Sequence, residues 1–419
     1  MSKMQEHEPT TSATEPAGPL AGASVERSEY MRRRSIGELL RSDLGFLPVL
    51  LTLIVVVAYF TITTNGLFLT PRNLSYLAQQ MATIGLIGLG VITVLLLGEI
   101  DLSSASVSVL CAVIMAVCSE RLGYPAWLAI LIALLFGALI GALNGFFVAI
   151  IRIPSFIVTL AGSIAYSGLL LTLLAGQSTL PINNAFIVAI AGSPTSFLPD
   201  LYGIGLPALA VVLYAVAVLL GYRRRKKLGL RTQPFSRVAL QLGIVAVIVA
   251  VVVGAFESYT GVPYSTAIMF GLIAVIWLVL TKTAFGRHIY ATGGSTEAAR
   301  RAGINVVGIR IAVFTLCSVL AAVGGIIEAS RGNSVASQVD PTLLLDAIAA
   351  AVIGGVSLFG GRGSAWAIVL GVLIIGSLQN GLTLQSRGTD IQDIVEGAVL
   401  VLAVTADALI RRAQSRTGR

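Results

Sequence analysis

Acids, amides and hydroxyls set among apolar residues are the groups in this chain whose types and spacing could do chemistry. Glu99 and Asp101 stand two apart in the run Gly-Glu-Ile-Asp-Leu-Ser at 98–103, and Asn144, Ser155, Thr159, Asp346, Gln379 and Asn380 fall within or at the ends of apolar stretches, with Glu396 in the last of them. A polar group at membrane depth is costly and turns toward an interior or a cavity, so each is a candidate for contact with a solute. Scattered amides and carboxyls suit a neutral, hydroxyl-rich solute, which they can hydrogen-bond weakly in transit without neutralising a charge. Two other readings stand beside that one: hydrogen bonds between helices and, for Asp101 or Ser103, capping of the helix that follows. Other chemistries are excluded more firmly. His7 and His288 are too far apart to suggest a metal site, and Cys111, Cys118 and Cys317 lie inside apolar runs as small buried hydrophobes. No nucleophile stands beside a base, and no Gly-x-x-x-x-Gly-Lys-Ser/Thr loop cradles a nucleotide phosphate, so neither an intramembrane enzyme nor a bound cofactor is expected.

Composition decides which elements must position these groups. Of 419 residues 56% are hydrophobic and only 11% charged, against about 25% charged in soluble domains, and the mean hydropathy is +0.90. The fold class expected is an all-α polytopic membrane protein, because a span needs about 20 apolar residues and a helix satisfies its own backbone. The alternation of a β-barrel is missing. Basic residues behind the net charge of +8 sit at segment ends and in the tail. Membrane orientation accounts for them better than nucleic acid does.

Residues 1–30 are rich in Ser, Thr, Glu, Pro and Ala, so a disordered cytoplasmic tail is expected over 1–40, with no signal peptide visible. Arg32, Arg33, Arg34 and Arg41 precede the first apolar run and place the N-terminus inside. About twelve spans are expected within one transmembrane domain over 41–412: 46–62, 74–97, 104–119, 125–150, 156–174, 206–221, 238–256, 266–280, 309–330, 343–358, 366–380 and 391–409. Counted from a cytoplasmic start, the basic groups at 223–227, 282–310, Arg362 and Arg411–Arg412 all fall inside, the C-terminal tail over 413–419 included. The run 343–358 is short and ends in Gly354-Gly355, which also fits a re-entrant helix. Gly137, Gly141 and Gly145 recur every fourth residue on one face, a pattern that brings two helix backbones together.

The longest polar segment away from the termini, 281–308, is where a soluble partner would meet the chain. Ser295 is expected to cap a helix of about two turns, with Glu297 in its first turn, Arg300 and Arg301 in its last, and Gly303 as its stop. Ala298 and Ala299 are expected to be exposed on it, small enough to let another surface approach.

Four stretches taken together resemble the permeases of bacterial ABC sugar importers, the branched family serving ribose, xylose and galactose. They are Gly-Glu-Ile-Asp-Leu-Ser at 98–103, Ile-Pro-Ser-Phe-Ile-Val-Thr-Leu-Ala-Gly at 153–162, the 286–306 loop with Glu-Ala-Ala-x-x-x-Gly at 297–303, and Asp-Ala-Ile-Ala-Ala-Ala-Val-Ile-Gly-Gly at 346–355 leading to Gly-Gly-Arg-Gly at 360–363. The chain departs from the family run by carrying Ser104 and Ala105 where Val and Gly are usual. An extra apolar hairpin at 206–256 is similar to D-xylose permeases. The resemblance implies a monosaccharide path, with D-xylose the expected cargo, in a bacterial inner membrane. It implies a separate ABC ATPase subunit, an extracytoplasmic sugar-binding protein and a second permease chain as partners, besides membrane lipids. It assigns coupling to the ATPase to Gly286, Arg287, Gly293, Gly294, Glu297, Ala298, Ala299 and Gly303. An ion-coupled secondary transporter of a small polar solute is the alternative, also a helical bundle with polar groups at the midplane; against it, few acids are placed as proton carriers. On the expected assignment, Glu297→Lys or Gly303→Pro leaves the protein inserted at wild-type level and abolishes uptake. Normal uptake by either variant, measured with labelled sugar, contradicts it.

Overall fold

The computed structural model describes residues 47–402, apart from 193, 231, 233 and 400, together with residue 405. These fall in one compact unit, Phe46–Arg419. The expected tails over 1–40 and 413–419, and the basic residues at 32–34, 41 and 411–412, lie outside the described residues.

Apolar runs longer than a membrane is thick become helices, and their bounds follow the capping chemistry. α1 is Leu47–Thr63, α2 Pro71–Leu96, α3 Ser104–Ala116, α4 Ala126–Phe146 and α5 Ser155–Leu174. A strand, β1 Thr179–Pro181, and a short helix, α6 Ala185–Ala191, lead to the hairpin of α7 Asp200–Lys227 and α8 Phe235–Glu257. Then come α9 Tyr264–Lys282, α10 Ala284–Gly294, α11 Thr296–Arg301, α12 Val306–Arg331, β2 Ser334–Ala336, α13 Pro341–Ile353 and α14 Ala367–Leu384. Residues 389–399 form α15. Proline stands at the first turn or just before it in α2, α4, α5, α7, α8, α9 and α13. That position suits a residue with fixed φ and no N–H to lose.

Nine helices among the described residues are long and apolar enough to cross a membrane. The run at 343–358 is not one of them as an unbroken rod. Its helix, α13, stops after 13 residues, or about 20 Å at 1.5 Å per residue, short of the roughly 30 Å hydrocarbon layer. Gly355, at φ +98°, turns the chain out of the helix. A loop, 354–366, follows with Val356 and Ser357 buried.

The core lies where α12 packs on α4, α2 and α3. On α4 a Cβ at Gly137 would meet Ala322 at 3.1 Å, one at Gly141 the Phe314 carbonyl at 2.5 Å and one at Gly145 the Ile311 Cα at 2.7 Å. The fourfold spacing is therefore a groove for α12, because only glycine lets the two backbones approach so closely. α2 is 94% buried over its most apolar window, whereas α7 and α8 are 6% buried. The hairpin is thus a peripheral addition that presents Leu213, Val247 and Val251 outward.

Two ends of the bundle can be told apart. Strands β1 and β2 pair antiparallel, Leu180 opposite Val335, at one end, and α10–α11 sit at the other. We expect Gly141→Ala to destabilise the protein by about 1–3 kcal/mol, the usual range for overpacking. Gly168→Ala, at a helix site with nothing within 4 Å, should be neutral or stabilising. Thermal unfolding in detergent compares them, and equal melting temperatures would refute the groove.

Candidate functional site

The break between α2 and α3 leaves backbone N–H groups with no helical partner. The first turns of α5 supply them: Ile100 N–H donates to Ser155 Oγ at 3.2 Å and Leu102 N–H to Thr159 Oγ1 at 3.0 Å. Pro154 stands immediately before α5 and helps to start it there. Asp101 takes the Ser103 N–H at 2.8 Å and the Ser103 hydroxyl at 2.6 Å on the same oxygen. Asn144 donates to Ser103 Oγ at 3.1 Å and accepts from Tyr166 O–H at 2.7 Å. Asp101, Asn144 and Thr159 are each at most 2% exposed. Neither Asp101 nor Ser103 makes a side-chain cap to α3; the carboxylate folds the break onto itself instead. Glu99 and Asp101, two apart in the sequence, take different partners. Glu99 turns away to Arg310, at the start of α12, with N to O at 2.8 Å.

The same break meets the polar segment. Gly361 N–H donates to the Leu96 carbonyl at 2.9 Å. A Cβ on Gly293 would collide with that carbonyl and with Gly361 N, and one on Gly360 would lie 2.8 Å from both the Gly293 carbonyl and Gly98 N. Tyr290 O–H donates to the Gly363 carbonyl at 2.9 Å, and burial raises the Tyr290 phenol above its usual pKa. Three backbones, 96–98, 293–294 and 360–361, therefore touch without side chains between them. Each of the four stretches picked out from the sequence has residues at this end of the bundle, the last of them through Gly360–Gly363.

Within 281–308 the sequence reading missed a helix. α10 precedes the expected one, started by Thr283 Oγ1 accepting from Gly286 N at 3.2 Å. The signal was there: Phe285, Ile289 and Thr292 recur at helical spacing and face inward. α11 follows the expectation. Ser295 Oγ accepts from Ala298 N at 3.3 Å, Glu297 pairs with Arg300 at 3.1 Å, and Gly303 ends the helix at φ +80°. Ala299, expected to be exposed, is buried at 3%, because α11 turns its second alanine inward. Gly286 is also buried, against the Leu280 backbone. Arg287, Gly294, Glu297, Ala298 and Gly303 are exposed, while Gly293 is half-buried. The coupling candidates thus divide into an outward set and an inward set that seats the pair.

The remaining polar candidates lie at the other end. Asp346 accepts from Gln379 Nε2 at 2.7 Å, and both line a cavity of about 600 Å³ together with Gln80, Thr83 and Glu396. Thr83 O–H donates to Glu328 Oε2 at 2.9 Å. Asn380 does not line the cavity; its amide oxygen accepts from Asn73 at 2.8 Å, a bond between helices. Gln80, Thr83 and Glu328 were passed over in the sequence, since a single polar residue in a helix carries no sign of the face it takes. No group of three or more metal-ligating side chains exists among the described residues.

Gly293→Val should part α10 from the α2–α3 break. We expect faster amide hydrogen exchange at 96–103 and 355–363 with α4 and α12 unchanged, and unaltered exchange at both would contradict the contact.

A family profile described as branched-chain amino acid transport system, permease component, matches residues 73–404. The xylose transport system permease protein XylH of Escherichia coli (strain K12) is 38% identical over 370 residues, 88% of this chain and 93% of that protein. Its counterpart in Haemophilus influenzae is 36% identical over 86% of this chain and 95% of that one. The ribose import permease protein RbsC of Escherichia coli (strain K12) is 33% identical over 86% of this chain and 92% of that one. No solved structure matches the chain. With this likeness along nearly its whole length, the chain belongs to the branched-chain amino acid transport system permease family, within its branch of ABC sugar-import permeases.

Proposed function

We propose that this permease forms the path by which an ATP-driven importer takes up D-xylose. The observation that carries the choice of sugar is the 38% identity to the xylose permease, against 33% to the ribose permease over nearly equal lengths. The ATPase is a separate subunit. It docks on the exposed face of α10–α11, through Arg287, Gly294, Glu297 and Ala298, while Gly286, Gly293 and Ala299 transmit its movement inward. A sugar-binding protein delivers cargo at the end that carries β1 and β2, and a second copy of the chain completes the pore in the bacterial inner membrane.

Twelve passages fit this arrangement: the nine long helices, α1, α15, and α13 with its return loop. In support, α13 starts beside the cavity at the β end, and its loop reaches Leu96 at the other. α1 ends at the β end too, where Thr63 Oγ1 accepts from Gln385 at 2.7 Å. An inside position for both termini follows from that count. The basic residues Arg223–Lys227 close α7, and Arg287, Arg300, Arg301 and Arg310 belong to the α10–α12 segment. On the positive-inside rule that end faces the cytoplasm. Glu99, Asp101, Asn144, Ser155 and Thr159 hold the α2–α3 break beneath the path, and Asp346 and Gln379 line the path itself.

Cells expressing the chain with its ATPase and binding protein should accumulate labelled xylose well above labelled ribose, and lose accumulation when the ATPase is inactivated. Accumulation that persists without the ATPase would refute the importer, and equal uptake of ribose would refute the choice of sugar.

A further inference from the structure

The hairpin of α7 and α8 separates charge along its length in a way that packing does not require. Its acids, Asp200 and Glu257, stand at its open end; the 56 residues between them hold seven basic residues and no acid. Arg223, Arg224, Arg225, Lys226, Lys227 and Arg237 are exposed, and none of them is ion-paired among the described residues. The end of α7 does not need so many. A helix C-terminus presents about half a negative charge, against five cations at 223–227 that repel one another at spacings of three and four.

Depth and shape supply a second observation. Residues 201–221 carry no charge and, at 1.5 Å per residue, cover about 31 Å, the thickness of the hydrocarbon layer. The cations therefore begin where headgroups do. Tyr222 and Phe235 mark that level with rings 5.9 Å apart, as interfacial aromatics do. On α7, Leu213, Val216 and Leu220 form an exposed stripe whose spacing carries on to Arg223 and Arg224. On α8, Leu240, Ile244 and Val247 continue from Arg237 in the same way.

We propose that the turn end of this hairpin binds an anionic phospholipid, its phosphate among 223–227 and Arg237 and its acyl chains along the two stripes. The occupant follows from the two features together. A phosphate ion has no use for the stripes, a zwitterionic lipid brings its own cation to the cluster, and an apolar helix of another protein brings no anion. Because α7 and α8 are only 6% buried over their most apolar windows, lipid rather than protein sets the position of the hairpin. On the orientation proposed above, the site lies in the cytoplasmic leaflet, where a juxtamembrane basic cluster attracts anionic lipid.

The test uses the full chain in nanodiscs, with a bimane attached through Val216→Cys. The three native cysteines are buried and stay in place. Phosphatidylglycerol or phosphatidylethanolamine, each with a nitroxide on its acyl chain, is then titrated in as quencher. Each cation engaged favours the anionic lipid by about fivefold, so half-quenching should need at least about tenfold less phosphatidylglycerol. A bimane placed through Leu139→Cys, an exposed position on α4, should show no such preference. Replacing the six cations by Gln should remove the preference at 216, and replacing the four arginines among them by Lys should keep it. Equal quenching by the two lipids at 216, an equal preference at 139, or a preference that survives neutralisation would each overturn the site. So would loss of the preference in inorganic phosphate at unchanged ionic strength, which would assign the cluster to the free ion, or a bimane at 216 that no lipid quenches, which would assign the face to protein. If the Gln variant fails to insert, the comparison of 216 with 139 in the unaltered cluster still decides.

Discussion

Backbone that leaves the helix inside a packed protein must find its hydrogen-bond partners within that protein, and this constraint organises the molecule. The chain does so at the α2–α3 break and again after α13. At the first, Ser155 and Thr159 take the N–H groups of Ile100 and Leu102. At the second, Gly361 gives its N–H to the Leu96 carbonyl and Ser357 its N–H to the Arg362 carbonyl. A buried amide left without a partner costs about 1–3 kcal/mol, so each break is tied to its partner. The partners of the two breaks adjoin. A movement that disturbs one must therefore disturb the other.

Close approach makes that sharing possible. Where α4 meets α12, and where 96–98 meets 293–294 and 360–361, the surfaces in contact are backbone rather than side chain. Such contacts bury polar peptide groups against one another without side-chain entropy to lose, and they transmit displacement without a soft intermediary. α10 and α11 gain rigidity from the same geometry. Ile289 and Ala299 anchor them from below, which leaves Arg287, Glu297 and Ala298 on a firm outer face.

The cavity at the opposite end is the counterpart of this rigid floor. Its polar wall comes from six helices, three of which, α2, α3 and α12, also make the packed core. α13 belongs to both ends: its first turns line the cavity, and the loop after its last turn reaches α10. Between them lies a run of alanines with no side chains to interlock. An interface of that kind holds by close approach of the backbones.

Apolar runs, prolines at helix starts and basic clusters determined a great deal directly, because the bilayer forbids most alternatives. The helical class, the bounds of most spans, the cap of α11 by Ser295 and the tight face at Gly137, Gly141 and Gly145 were all legible in the order of residues. So was the family, through four short stretches far apart in the chain. Which of those stretches touch, and which side each polar group takes, was decided only in three dimensions. Nothing local brings Ser155 to Ile100, turns Glu99 toward Arg310 while Asp101 turns inward, or buries Ala299 beside an exposed Ala298. Local propensity and the cost of burial act on neighbours in sequence. Contacts between segments depend on which helices the whole core brings together, and that choice is made by the sum of the packing.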